Sequence, residues 1–216
     1  MHPLPDPDEP RRGRGRPRKD GSPAQAVLSR AISRGPVVAE IEALQVELAG
    51  DGYVAPVEAW LFRDWLREQA ERDLFFFAKW IFYQEPERRG KLGAIHRELC
   101  RFVTDYGTTR RKLALMPMGH LKTSHCSQAL PLHVLIQKPE ANIYFPGVWG
   151  CDVRILLGNE SEDKCRENLS VVKGHLETNI WIAWLWPHIC WENPRTDSPR
   201  WGRRCWTGRT AGSGDV

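Results

Sequence analysis

The chain has 216 residues, 41% of them apolar, with 31 Lys and Arg against 27 Asp and Glu and a net charge of +4. That length suits one domain of ordinary size with a core of its own, and six cysteines without a CxxC pair exclude a small disulfide scaffold or a common zinc module. The charge is uneven: residues 1–35 hold eight basic and four acidic side chains, and the remaining 23 of each sign cancel. The folded part is therefore not a broadly basic nucleic-acid surface.

From the N-terminus, residues 1–36 are rich in Pro, Gly, Arg and Asp and read as a disordered basic arm. No apolar core follows the charged start, so neither a signal peptide nor a twin-arginine signal is expected, and the cysteines read as reduced thiols of a cytosol. Within the arm, RRGRGRPRKD (11–20) contains Arg14-Gly15-Arg16-Pro17, the core of an AT-hook. Extended arginines flanked by Gly and Pro suit the narrow, strongly negative minor groove of A·T-rich DNA. Arg14, Arg16, Arg18 and Lys19 are the candidate DNA contacts. The alternative is a solubilising tail that touches phosphates without specificity.

The spacing predicts a helix over 37–49 and a helical region over about 56–84, whose second half, LFFFAKWIFYQ, is apolar on nearly all sides and expected to be buried. A third helix is expected at about 93–105. The pattern then changes. KLALM (112–116) reads as a short buried strand, 122–137 as a helix despite Pro131, and 138–152 as a loop. VRILLGN (153–159) reads as a second strand and 160–179 as a long amphipathic helix with an acidic first turn. This order predicts an α/β fold with a parallel sheet. It divides the chain into an arm (1–36), a helical N-terminal region (37–106), a core (107–194) and an irregular tail (195–216). The most apolar run, at 180–191, contains Pro187 and is shorter than the roughly 20 residues that span a bilayer.

The chemistry concentrates in MPMGHLKTSHC (116–126). An expected strand, a turn containing Gly119, then Lys122-Thr123 opening a helix is the plan of a phosphate-binding loop. Backbone N–H groups at the turn would meet phosphate oxygens, Lys122 would reach the β and γ phosphates, and the Thr123 hydroxyl would hold Mg²⁺. The standard G-x-x-x-x-G-K-[ST] pattern is not met, because its glycine positions hold Met116 and Leu121. The competing reading is a surface turn whose Thr123 caps a helix.

Taken together with its surroundings, the segment resembles the large subunit of tailed-phage terminases. That family often carries P-x-G-H-x-K-[ST], matched here by Pro117-Met118-Gly119-His120-Leu121-Lys122-Thr123. It shows an upstream aromatic segment and a His-[RK]-E-L-like helix, matched by LFFFAKWIFYQ (74–84) and IHRELCRFV (95–103). RILLGNESEDKCRENLSVVKGHLETN (154–179) looks like the family's unit after the loop helix. The resemblance covers roughly residues 60–195. It implies a partial P-loop NTPase of the ASCE type with ATP and Mg²⁺ as cofactors. Pro117, Met118, Gly119, His120, Leu121, Lys122, Thr123 and Ser124 would form the nucleotide site, with Thr123 on the metal and the region from Gln84 to His96 near the adenine. It further implies double-stranded DNA, a small terminase subunit, a capsid portal and a homo-oligomeric ring as partners, in the cytoplasm of a bacterial host.

The sequence departs from that family in three ways. Many relatives carry Arg where Met118 stands. There is no apolar strand ending in paired carboxylates, since after Asn193 the acidic residues are Asp197 and Asp215. The carboxylate cluster of a two-metal nuclease is missing too. The chain therefore reads as a truncated or frameshifted product, or as one half of a split gene. The other reading of its function is a non-enzymatic DNA-binding module working through the arm, or an inactive remnant. His120, His125, Cys126, His188 and Cys190 read as packing or capping residues and not as a zinc site. Trp181, Trp184, Trp186 and Trp191 could stack bases but suit a core, and Glu160, Glu162, Asp163 and Glu167 suit a solvated helix face.

Overall fold

The computed structural model describes residues 35–105, 107, 111–159 and 161–189. The basic arm with its AT-hook and the tail from residue 190 lie outside them. Helix α1 (Val38–Gly50) starts where the Glu40 carboxylate accepts the Val37 N–H at 2.9 Å, and it buries Ile41, Leu44 and Leu48 on one face. Helix α2 (Ala59–Arg72) stops at Asp73, whose extended backbone breaks the winding. The Asp73 side chain then accepts the Phe75 N–H at 2.8 Å and restarts the chain as α3 (Leu74–Phe77), which runs on into a π-wound turn, Ala78–Phe82. Every residue from Leu74 to Phe77 is buried, as are Ala78, Trp80, Ile81, Phe82 and Tyr83. The expectation from LFFFAKWIFYQ holds: this apolar segment is the axis of the molecule.

The other elements lie around that axis. A short α4 (Pro86–Arg89) leads to α5 (Ala94–Thr104), which packs on α3 through Leu99, Cys100 and Val103. The helix after the candidate loop is π-wound over Ser124–Ala129 and α-wound as α6 over Leu130–Leu135. Pro131 has no N–H to give to a preceding turn, and the wider π winding ends just before it. The π-wound half touches α7 (Glu162–Thr178), and α6 touches a 3-10 turn at Gly150–Asp152. Asn179 then caps α8 (Ile180–Leu185), accepting the Trp181 and Ile182 N–H groups while donating to the Ile81 carbonyl at 2.9 Å. One apolar cluster runs from Ile41 to Ile189.

The structure corrects the expected fold class. Among the described residues there is no strand and no sheet; the architecture is helical. Residues 112–117 and 153–159, the two expected strands, are non-helical chain, and no backbone hydrogen bond joins one to the other. The physical reason lies in what each segment meets. The Lys112 ammonium donates to the Phe102 and Asp105 carbonyls at the end of α5, where a cation suits the helix dipole. Beyond it, Ala114 and Met116 rest on the helical core, while Leu113 and Leu115 point outward at 76% and 82% exposure. The segment has the side-chain alternation of a strand but lies against helices, with no second strand among the described residues to complete a ladder. The 107–194 region is thus not a parallel-sheet P-loop core in the residues described. No helix among them is long and apolar enough to cross a membrane.

Candidate phosphate-binding loop

The candidate site begins where the chain leaves residues 112–117. Met118 is 98% exposed and Gly119 turns the chain at φ +82°. The His120 imidazole donates from Nδ1 to the Met118 carbonyl at 3.2 Å and closes the turn. Leu121 follows at φ +52°, the one non-glycine residue with positive φ among the described residues. Along Gly119, His120 and Leu121 the sign of φ therefore alternates, positive, negative, positive. Such alternation turns successive N–H groups toward one side, the concavity that binds anions in many proteins. Leu121 occupies the position where the standard phosphate-loop pattern has its second glycine. The backbone has the left-handed shape that a glycine would supply, adopted by a leucine at a cost of about 1–2 kcal/mol.

Two cavities flank this loop. Met116, Pro117, Met118, Gly119, His120, Leu121, Lys122 and Thr123 line one of about 450 Å³. All the predicted nucleotide residues but Ser124 therefore face one space. No acidic side chain lines it, and Lys122, half-buried, has no ion-pair partner among the described residues. Thr123 is exposed at its rim. Ser124 instead lines a second cavity of about 260 Å³ with Phe82, Gln84, Glu85, Arg88, Gln128, Val171 and His175. Consecutive residues, Thr123 and Ser124, thus line different spaces. In the second, the His175 ring stacks on Phe82 at 4.2 Å and 27°. Burial lowers the His175 pKa to about 4 against the opposing pull of Glu85, so at neutral pH this wall is an uncharged ring.

Beneath the loop sits a buried aromatic group whose sequence spacing suggests only packing. His125 is completely buried; its Nδ1–H donates to the Leu121 carbonyl at 2.9 Å and its backbone N–H donates to the same oxygen at 3.0 Å. Its ring stacks on His96 at 5.4 Å and 26°, and lies 5.7 Å from Tyr83. His96 in turn accepts the Gly93 N–H at Nδ1, 3.1 Å away, and caps α5. Burial lowers the pKa of both imidazoles and raises that of the Tyr83 hydroxyl, which Ser124 offsets in part. A histidine three residues after Lys122 was visible in the sequence, but nothing in its spacing reported the left-handed residue it holds.

A phosphate group fits this donor set: a backbone concavity, an ammonium and a hydroxyl on one cavity, with no ion-pair partner and no acidic lining among the described residues. For Mg²⁺ the cavity offers the Thr123 hydroxyl alone, and among the described residues no cluster of three His, Cys, Asp or Glu could hold a metal. Trp181 and Trp186 are buried in the core and Trp184 is half-buried beneath the Arg63 guanidinium, so these rings pack and do not form an open platform. Glu162, Asp163 and Glu167 are exposed, and Glu162 pairs with Arg166 at 2.6 Å. Arg14, Arg16, Arg18 and Lys19 lie outside the described residues, as do Trp191, Cys190 and the His188 side chain. Comparison of the chain with family models, curated proteins and solved structures finds no match.

Proposed function

We propose that residues 117–124 bind the phosphates of ATP, with Lys122 on the β and γ phosphates and Thr123 on the accompanying Mg²⁺. In this reading the chain is a nucleotide-binding portion of a DNA-packaging motor similar to the large subunit of tailed-phage terminases. The observation that carries it is Leu121: a left-handed residue directly before Lys122, at the place the phosphate-loop pattern reserves for glycine, in the wall of a cavity with no competing carboxylate among the described residues. The reading rests on this loop and on the order of the sequence motifs around it, not on a parallel sheet. The nucleoside is proposed to lie in the second cavity, where the Phe82–His175 stack and Gln84 stand beside Ser124, the residue that follows Thr123. The partners proposed with this role are double-stranded DNA, met through Arg14, Arg16, Arg18 and Lys19, a small subunit, a capsid portal and further copies of the chain in a ring.

The test is equilibrium titration of the full chain with a fluorescent ATP analogue and Mg²⁺, beside Lys122→Ala. Loss of a charge-assisted phosphate contact of roughly 1.5–3 kcal/mol weakens binding on the order of ten- to a hundredfold. Equal affinity in both proteins, or no binding by either, refutes the reading. The basic arm is tested separately: deleting residues 1–22 abolishes retention on DNA at low salt, and retention that survives the deletion removes the arm from the account.

A further inference from the structure

We infer that His125 is the positioning residue of the loop, holding Leu121 in the left-handed conformation that presents residues 119–121 to a phosphate. The idea rests on the phosphate-binding reading for its consequence, but its geometry stands apart from any ligand. A leucine prefers right-handed or extended backbone, so its conformation at φ +52° persists only where the surroundings impose it. Here the imposing group is identifiable. The Leu121 carbonyl accepts both the backbone and the ring N–H of His125, at 3.0 and 2.9 Å. A carbonyl can only accept, so the proton sits on Nδ1, and the ring is fixed in that tautomer.

The ring itself cannot swing away. It is fully buried, stacked on His96 and set beside Tyr83, and those residues belong to α5 and to the end of the aromatic axis. Through His125 the loop is clamped to α5 and to the buried aromatic segment. A glycine at this position of the loop would take the left-handed shape unaided; with Leu121 there, the fold supplies a clamp. His125 touches none of the cavity 116–123 directly, so it acts through Leu121.

Hydrogen–deuterium exchange of the full chain reads the claim directly. His125→Phe keeps a ring of similar size and loses the Nδ1–H; His125→Asn places an N–H near the Nδ1 position. The expected result is about tenfold faster amide exchange over residues 118–125 in His125→Phe, with α7 unchanged, and recovery of most of the protection in His125→Asn. In a Leu121→Gly background the same His125→Phe change has little further effect, because glycine no longer needs the clamp; this non-additivity is the signature of a shared role. Affinity for the fluorescent ATP analogue follows the same order. Wild-type exchange in His125→Phe, loss of protection spread equally through α7, or an undiminished effect in the Leu121→Gly background overturns the inference. If the exchange pattern appears as described while Lys122→Ala leaves nucleotide binding unchanged, the clamp stands and the ATP reading falls.

Discussion

Gly150 shows how much a single atom decides in this molecule. A Cβ there would lie 1.9 Å from the Val134 carbonyl oxygen in α6 and 3.0 Å from the Gln137 backbone nitrogen just past its end, and the Gly150 N–H already donates to the Gln137 carbonyl at 2.9 Å. Neither neighbour is a flexible tip that could move aside. Gly150→Ala should therefore destabilise the protein by at least about 2–3 kcal/mol in chemical denaturation, while Gly158→Ala, with open space around it, changes stability by less than about 0.5 kcal/mol. Equal effects at the two positions would contradict the packing described. Neither contact was legible in the sequence, where Gly150 was one of two glycines in an irregular loop. The site divides in the same way. Gly119, Lys122 and Thr123 were legible because their chemistry is carried by residue type. The left-handed Leu121 and its partner His125 were not, because a backbone shape imposed by tertiary contact leaves no trace in side-chain pattern.

Among the elements, the helices were legible, whereas the two expected strands are non-helical chain. Expected helices at 37–49, 93–105 and 160–179 correspond to α1 (Val38–Gly50), α5 (Ala94–Thr104) and α7 (Glu162–Thr178), since amphipathic spacing over three or more turns has few competing explanations. The region at 56–84 contains a break at Asp73, where the carboxylate competes for the backbone and starts a new turn. KLALM and VRILLGN misled because a short apolar run fits a strand or a half-packed segment equally well, and only a partner ladder makes it a strand. The junction of α7 and α8 offers the sharpest test at this scale. Asn179, 2% exposed, satisfies two N–H groups of α8 and the Ile81 carbonyl at once. Asn179→Ala leaves all three unpaired in the interior and should cost about 3 kcal/mol. A melting temperature equal to that of the parent would show that the cap does not join these elements.

The whole molecule carries a pH dependence built from its buried imidazoles. His133 donates from Nε2 to the Ala70 carbonyl at 2.7 Å and accepts the Tyr144 hydroxyl at Nδ1, 2.5 Å away; burial lowers its pKa to about 4. His175 is likewise lowered to about 4, and His96 and His125 are lowered by the same cause. In the unfolded chain these groups take up protons near pH 6.5, whereas the folded chain keeps His133 and His175 neutral down to about pH 4. Stability is thus fully present above about pH 7. It falls as the pH drops from about 6.5 toward 4, by roughly 1.4 kcal/mol per unit for each such imidazole. Urea midpoints at about pH 7.5, 6.0 and 5.0 check this, and a midpoint that holds constant across them contradicts the buried, neutral assignment. Function at this scale depends on whether the helical assembly presents its loop to a nucleotide. The most direct measurement is a two-dimensional amide NMR spectrum of the isotopically labelled full chain, recorded with and without Mg-ATP. The account predicts the largest shifts at Gly119, His120, Leu121, Lys122, Thr123 and Ser124, and their loss in Lys122→Ala. An unchanged spectrum, or shifts confined to other parts of the chain, would mean that MPMGHLKTSHC is a turn and that the nucleotide reading is wrong.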